Sequence, residues 1–186
     1  MDYASILEEN SILESDRLIL RPFTIQDVPD VYLFARDEVV TRYLTWPPHK
    51  DMSVTEKMVR EIYMSRSGIY AIVLKSENKC IGCIDIRLVP EHEKATFGYC
   101  LNRDYWNRGC ATEALALILE LAFAKLKLNR VESTHYAGNE ASGCVMQKCG
   151  MIYEGTGVKE VKIKGVFHDV VHYAILKDDW IRSKNR

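Results

Sequence analysis

Residues 105–114 read YWNRGCATEA, and the fold is decided by how this stretch is read. Two aromatics lead into a single glycine, three small residues follow, and an apolar run continues to Leu128. That is the pattern of a loop entering the mouth of a helix. A helix start carries unpaired N–H groups and the positive end of the helix dipole, so it attracts anions. Gly109 lets backbone approach a ligand with no Cβ in the way. Cys110, Ala111 and Thr112 are small, and Arg108 adds a positive charge. These are the requirements of a diphosphate cradle, with an ordinary glycine turn as the alternative from the loop alone. Neither a G-x-x-x-x-G-K-[ST] loop nor a G-x-G-x-x-G fingerprint is present.

The helix that follows, TEALALILELAFAKLKL, has charges at Glu113, Glu120 and Lys127, seven residues apart, besides Lys125. They form one narrow polar stripe, and the remaining faces are apolar, which predicts a helix buried on most sides. Upstream, RLILRPF (17–23) predicts a first strand. Thr24 and Asp27 form a capping box for a helix to about Arg36, and Ser53 with Glu56 a second one for VTEKMVREIYMS. Between these helices WPPHKD (46–51) is a rigid loop. YAIVLK (70–75), CIGCIDIRL (80–88) and ATFGYCL (95–101) predict three strands, with turns at Asn78 and across Pro90–Lys94. VESTHY (131–136) predicts a fifth. Asn139 caps a short helix to about Cys149, closed by Gly150. Strands over 151–163 and 166–176 turn at Lys164-Gly165. The order is α+β, with a mostly antiparallel sheet of about seven strands.

The 186 residues suit one domain over 1–186, with residues 1–14 as an N-terminal extension. Apolar residues make up 47% and charged residues 27%, which places the chain among globular proteins. A net charge of −1 and a pI near 6.5 argue against a nucleic-acid partner, which needs a basic face. The opening MDYASILEEN is no secretory signal, and the longest apolar stretch, 114–124, is interrupted by Glu120 and is too short to span a bilayer. The expectation is a cytoplasmic protein with no membrane partner, monomeric or homodimeric. The six cysteines are then free thiols. Cys80-x-x-Cys83 and His168-x-x-x-His172 have the order of a zinc finger, but the gap between the pairs is far too long, so no metal is expected.

Strand, loop, buried helix, strand and then NEASGCVMQKCGM is an order that resembles the GNAT acetyltransferase superfamily, nearest its ribosomal-protein N-acetyltransferase (RimJ/RimL-like) branch. The resemblance rests on SDRLILRPFTIQDVPDVY, IGCIDI, FGYCLNRDYWNRGCATEAL, NEASGCVMQKCGM and FHDVVHYAILKDDW, and it spans nearly the whole chain. It implies the GNAT acyl-CoA N-acyltransferase fold and transfer of acetyl from acetyl-CoA to a primary amine by direct attack in a ternary complex. The acceptor is a protein N-terminal α-amino group or a small-molecule amine. A non-catalytic CoA-binding module is the third reading.

The resemblance also implies site residues. Backbone from Asn107 to Thr112, with Arg108 and Gly109 central, would hold the diphosphate; Trp106 stands where the wider superfamily has Gln or Arg. The pantetheine arm would pair near Cys100 and Leu101, where the strand splays from its neighbour near Val131. Asn139 would touch that arm, Ser142 the departing sulfur, and Lys148 the 3′-phosphate. Met146 replaces the tyrosine often used as general acid, and Thr96 replaces an acid common in the branch. The candidate bases are therefore His135 and Asp85, or a water chain. Cys100 and Cys110 keep an acyl-cysteine route open. Trp46, in the loop 44–49, and Tyr173 would line the acceptor pocket.

Overall fold

The computed structural model describes residues 2–184. In chain order the helices and strands are α1 (Tyr3–Glu9), β1 (Leu13–Glu14), β2 (Leu18–Arg21), α2 (Val28–Ala35), α3 (Glu38–Thr41), α4 (Met52–Met58), β3 (Ile69–Leu74), β4 (Lys79–Val89), β5 (Lys94–Leu101), α5 (Cys110–Glu120), β6 (Arg130–Tyr136), α6 (Glu140–Lys148), β7 (Ile152–Ile163), β8 (Val166–Leu176) and α7 (Lys177–Lys184). The eight strands follow the order β1-β2-β3-β4-β5-β6-β8-β7, one more than the sequence suggests. The mixed sheet flanked by helices is the α+β architecture expected. The chain forms two compact units, one of Met1–Ile86 and Gly98–Leu117, the other of Arg87–Phe97 and Ile118–Arg186.

In the first unit the antiparallel ladder β1–β2–β3–β4 is set by alternation. Leu18 and Leu20 of β2 are buried, while Ile19 and Arg21 are less so. The stretch read as an extension is structured. Asp2 caps α1 by accepting from the amides of Ala4 and Ser5, and Leu13 pairs with Leu20. The Thr24–Asp27 capping box forms, and Asp27 also receives both terminal nitrogens of Arg21 at 2.7 and 2.8 Å. The second cap differs from expectation. Asp51, not Ser53, opens α4, and its carboxylate accepts from the amides of Ser53 and Val54. A carboxylate two residues upstream is the stronger acceptor, and the Ser53 hydroxyl donates to it as well. Past Met58 the helix widens into a π-type turn over Val59–Tyr63. Phe23, Val31, Phe34, Val59, Ala71, Cys80 and Cys100 belong to the core between these helices and the sheet.

In the second unit β5 runs parallel to β6 over three pairs, from Lys94↔Arg130 to Thr96↔Glu132. A parallel pair needs a crossover connection, which α5 supplies. Beyond Glu132 strand β6 continues paired to β8 as far as Tyr136↔Val170. The β7–β8 hairpin closes at Lys164 (φ 48°) and Gly165 (φ 85°), two positive φ values in succession, as a tight two-residue turn requires. Helix α6 ends in a Schellman motif: Met151 N–H donates to Met146 O, Gly150 N–H to Gln147 O, and Gly150 takes φ 82°. Among the described residues no helix is long and apolar enough to cross a membrane.

Backbone approaches most closely at Gly82 on β4. A Cβ placed there would lie 2.3 Å from the carbonyl oxygen of Cys100. Gly82→Ala is therefore expected to cost about 3 kcal/mol or more in urea unfolding, at the upper end of overpacking losses. Gly165→Ala meets no atom within 4 Å and carries only the cost of positive φ, about 1 kcal/mol. Equal losses for the two variants would contradict this account.

Candidate active site

The loop between β5 and α5 is held by contacts within the first unit. Asn102 accepts the amide of Asp104 and donates its own to Ile81 O, which fixes the end of the strand. The indole N–H of Trp106 donates to Leu101 O at 2.8 Å, so Trp106 braces the loop against the strand. Asn107 (φ 59°) and Gly109 (φ 79°) then turn the chain into the helix. The i→i−4 pattern starts with Glu113 N–H to Gly109 O at 3.0 Å. The amides of Cys110, Ala111 and Thr112 precede it, at the helix mouth. Gly109 is exposed. The arrangement fits a diphosphate, whose oxygens need several backbone N–H donors and a surface without a Cβ.

Two arginines frame the loop. Among the described residues Arg108 has no carboxylate partner, and its guanidinium lies 5.3 Å from the centre of the Tyr105 ring. The Tyr105 hydroxyl donates to Glu77 at 2.5 Å, and this bond pushes the phenol up to about 12. Arg17 was not anticipated from the sequence. It donates to Arg108 O at 2.9 Å and clasps Glu113 through Nε at 2.7 Å. Glu113 also accepts from Ser15 Oγ and the Arg17 amide. The acidic residue in the first helical turn is thereby turned away from the loop and neutralised. Arg17 and Glu113 lie 96 positions apart, and nothing in the local pattern of either announces the pair.

The thiols near the loop are poor nucleophiles. The hydrogen bond with Cys83, and then burial, push the Cys100 thiol well above its ordinary range, and burial raises Cys110. Cys80 is buried too, whereas Cys144 is exposed. Asp85 Oδ1 accepts the Gly98 amide at 2.8 Å, so one carboxylate oxygen already serves the sheet. The Trp46 ring lies 4.9 Å from that of His49, tilted by 43°, and packs against the first unit's core.

In the second unit Asn139 stands at the start of α6, as expected, but its side chain makes no capping bond. Ser142 lies one turn on, half-buried, with its amide bonded to Asn139 O. Lys148 is exposed on the last turn. His135 is 5% exposed. Its Nδ1 is 3.0 Å from Tyr136 O, and its ring stacks on Tyr173 at 5.8 Å. A Cβ at Gly143 would meet His135 Nε2 at 2.7 Å, so helix α6 lies directly over that nitrogen. His135 is largely buried, with Nδ1 beside the Tyr136 carbonyl and Nε2 facing α6. The Tyr173 hydroxyl accepts from Gln147, while the residue itself lines a cavity of about 350 Å³ with Thr96, Glu132, Thr134 and His172. Among the described residues no group of three or more His, Cys, Asp or Glu is placed to hold a metal ion.

Known proteins resemble the chain in sequence and in fold. Residues 17–152 match the family described as "Acetyltransferase (GNAT) domain". YdaF of Bacillus subtilis (strain 168), provisionally named a ribosomal N-acetyltransferase, is 32% identical over 67% of this chain and 68% of its own length. The L-amino acid N-acetyltransferase AaaT of Escherichia coli (strain K12) is 28% identical over 78% of this chain and 88% of its own. A GNAT-family acetyltransferase structure from Bacillus anthracis superposes with a TM-score of 0.83 at 27% identity, covering 90% of this chain and 99% of that one.

The Glu113 anchor gives a pH test. Burial alone would raise its carboxyl, but the Ser15 and Arg17 hydrogen bonds outweigh this and hold it below its ordinary value. A carboxyl depressed in the folded state adds stability above its unfolded pKa, and that stability is lost as pH falls through the folded pKa. Glu113→Gln should therefore lower the urea midpoint near pH 7, and the gap to the parent should close below about pH 4. A gap independent of pH would mean that the charge of Glu113 contributes nothing.

Proposed function

The chain belongs to the acetyltransferase (GNAT) family, and from that premise we propose that this acetyl-CoA-dependent N-acetyltransferase modifies the α-amino group of protein N termini in the ribosomal-protein manner. The thioester supplies an activated acetyl group. The protein supplies the grip on the nucleotide end, and the observation that carries the reading is the loop 106–112. Its positive φ values, exposed glycine and helix-mouth amides suit the diphosphate, with Arg108 as the cation beside it. Trp106 acts there as the brace. Backbone at Cys100 and Leu101 would pair with the pantetheine arm, and Leu101 O shares its capacity with the Trp106 indole. Asn139 has an uncommitted side chain for the arm, Ser142 a hydroxyl for the sulfur, and Lys148 a charge for the 3′-phosphate. Direct attack by the amine agrees with the protonated, buried thiols of Cys100 and Cys110.

The ribosomal reading of the acceptor draws on the resemblance to the RimJ/RimL-like branch and on the name of YdaF. A small amine is the second reading, and the name of AaaT favours it. The discriminating measurement is kcat/KM for peptides with free N termini against amino acids and polyamines. Higher values for peptides support the first reading, and higher values for small amines replace it with the second. The cradle is tested separately. In Gly109→Val the added Cβ begins 3.3 Å from Arg17 at φ 79°, so CoA affinity by calorimetry should fall at least tenfold in a folded protein. Arg108→Ala should weaken CoA more than pantetheine, which lacks the diphosphate. Unchanged CoA affinity in both variants would remove the loop from the cofactor site.

A further inference from the structure

The transfer needs a group to take a proton from the acceptor ammonium, and the two bases expected from the sequence are each partly engaged. His135 lies close under α6, and one oxygen of Asp85 accepts the Gly98 amide. A different histidine meets the requirements. His172 on β8 lines the cavity of about 350 Å³ in the second unit, alongside Thr96 and Phe97 of β5 and Thr134 of β6. Its Nε2 lies 2.8 Å from Oε2 of Glu160. A carboxylate only accepts, so Nε2 carries the hydrogen, and in the neutral imidazole Nδ1 keeps its lone pair. Nδ1 has no partner among the described residues.

The backbone is shaped to bring Glu160 there. Strand β7 loses register with β8 between Gly157 and Val161, and Lys159 takes φ 51° with its amide on Asp169. A Cβ at Gly157 would lie 1.7 Å from Glu160 Oε2, so in this conformation the carboxylate fills the space beside the glycine. An ordinary cross-strand ion pair needs no such bulge. A histidine oriented by a carboxylate at the edge of a cavity is the geometry of a general base.

We propose that His172, oriented by Glu160, is the general base that deprotonates the acceptor amine. The inference rests on the acetyltransferase reading above. His172 Nδ1 removes one proton from the ammonium, directly or through one water, and later gives it to solvent. The freed lone pair forms the C–N bond as the C–S bond breaks. The nitrogen's second proton goes to the departing thiolate. His172 is the catalytic residue in this step and Glu160 a positioning residue. The other charged groups around the imidazole are Glu154 of β7, Arg130 and Glu132 of β6, Lys94 of β5 and Arg87 of β4. Lys94 and Arg130 are paired with Glu132, and Arg130 also with Glu154, so both cations are already balanced.

The test is a pH–rate profile of the full chain with acetyl-CoA and the best acceptor amine. His172→Gln should lower kcat about 10²–10⁴-fold with CoA affinity and unfolding midpoint near the parent's. The loss should shrink as pH rises, because more acceptor is already neutral. Glu160→Ala should lose more than Glu160→Gln, since the amide oxygen still accepts from Nε2. A His172→Gln profile parallel to the parent's, within threefold in kcat, overturns the inference and leaves the acetyltransferase reading standing. No turnover by the parent with any amine overturns both. A purely structural His172–Glu160 pair would show as a lowered unfolding midpoint with a pH-independent kcat, and that too overturns the inference.

Discussion

The amides at the start of α5 are the constraint around which the first unit is arranged. In the proposed cofactor site they face the diphosphate, so the acidic residue in that turn cannot be left to compete for them. Arg17 and Ser15 draw Glu113 aside and tie the helix mouth to the start of β2. Arg17 also holds the Arg108 carbonyl, so one guanidinium sets both the helix and the loop before it. A charge-assisted cluster of this kind is geometrically specific, which matters more here than its net contribution to stability.

Much of this was legible one segment at a time. The Thr24–Asp27 box, the Lys164-Gly165 turn and the glycine stop after α6 are local devices whose chemistry lies within a few residues, and each forms as read. The helix α5 stripe was legible in part: Glu113 and Glu120 both reach partners, Arg17 and Lys184, and Ala114, Leu115, Ile118 and Leu119 are buried, but Lys127 takes φ 57° beyond the helical turns. The cap of α4 was misplaced by two residues because Ser53 and Asp51 are both good caps, and acceptor strength decides between them. The π-type turns at Val59–Tyr63 and Leu121–Lys125 leave no mark on a hydrophobic pattern, since the shift is in hydrogen-bond register alone.

The candidate site was legible where it is backbone and obscure where it is side chain. A loop built from amides and a glycine is written in consecutive residues. The fate of a histidine depends on what covers it. His135 and His172 both sit on strands, and only Gly143 above the first and the β7 bulge beside the second tell them apart. Alternation predicts the face of a strand, but not which atom of a neighbouring helix closes over it.

The uneven burial of the thiols has a practical side. Cys80, Cys100 and Cys110 are enclosed, and burial lifts Cys149 to about 11, so alkylating reagents meet little thiolate at these positions. Cys144 alone among the described cysteines is exposed, on helix α6. A maleimide fluorophore added briefly near neutral pH would mark that helix first. The unaltered chain thus offers an attachment point for an optical reporter on the segment that carries Ser142.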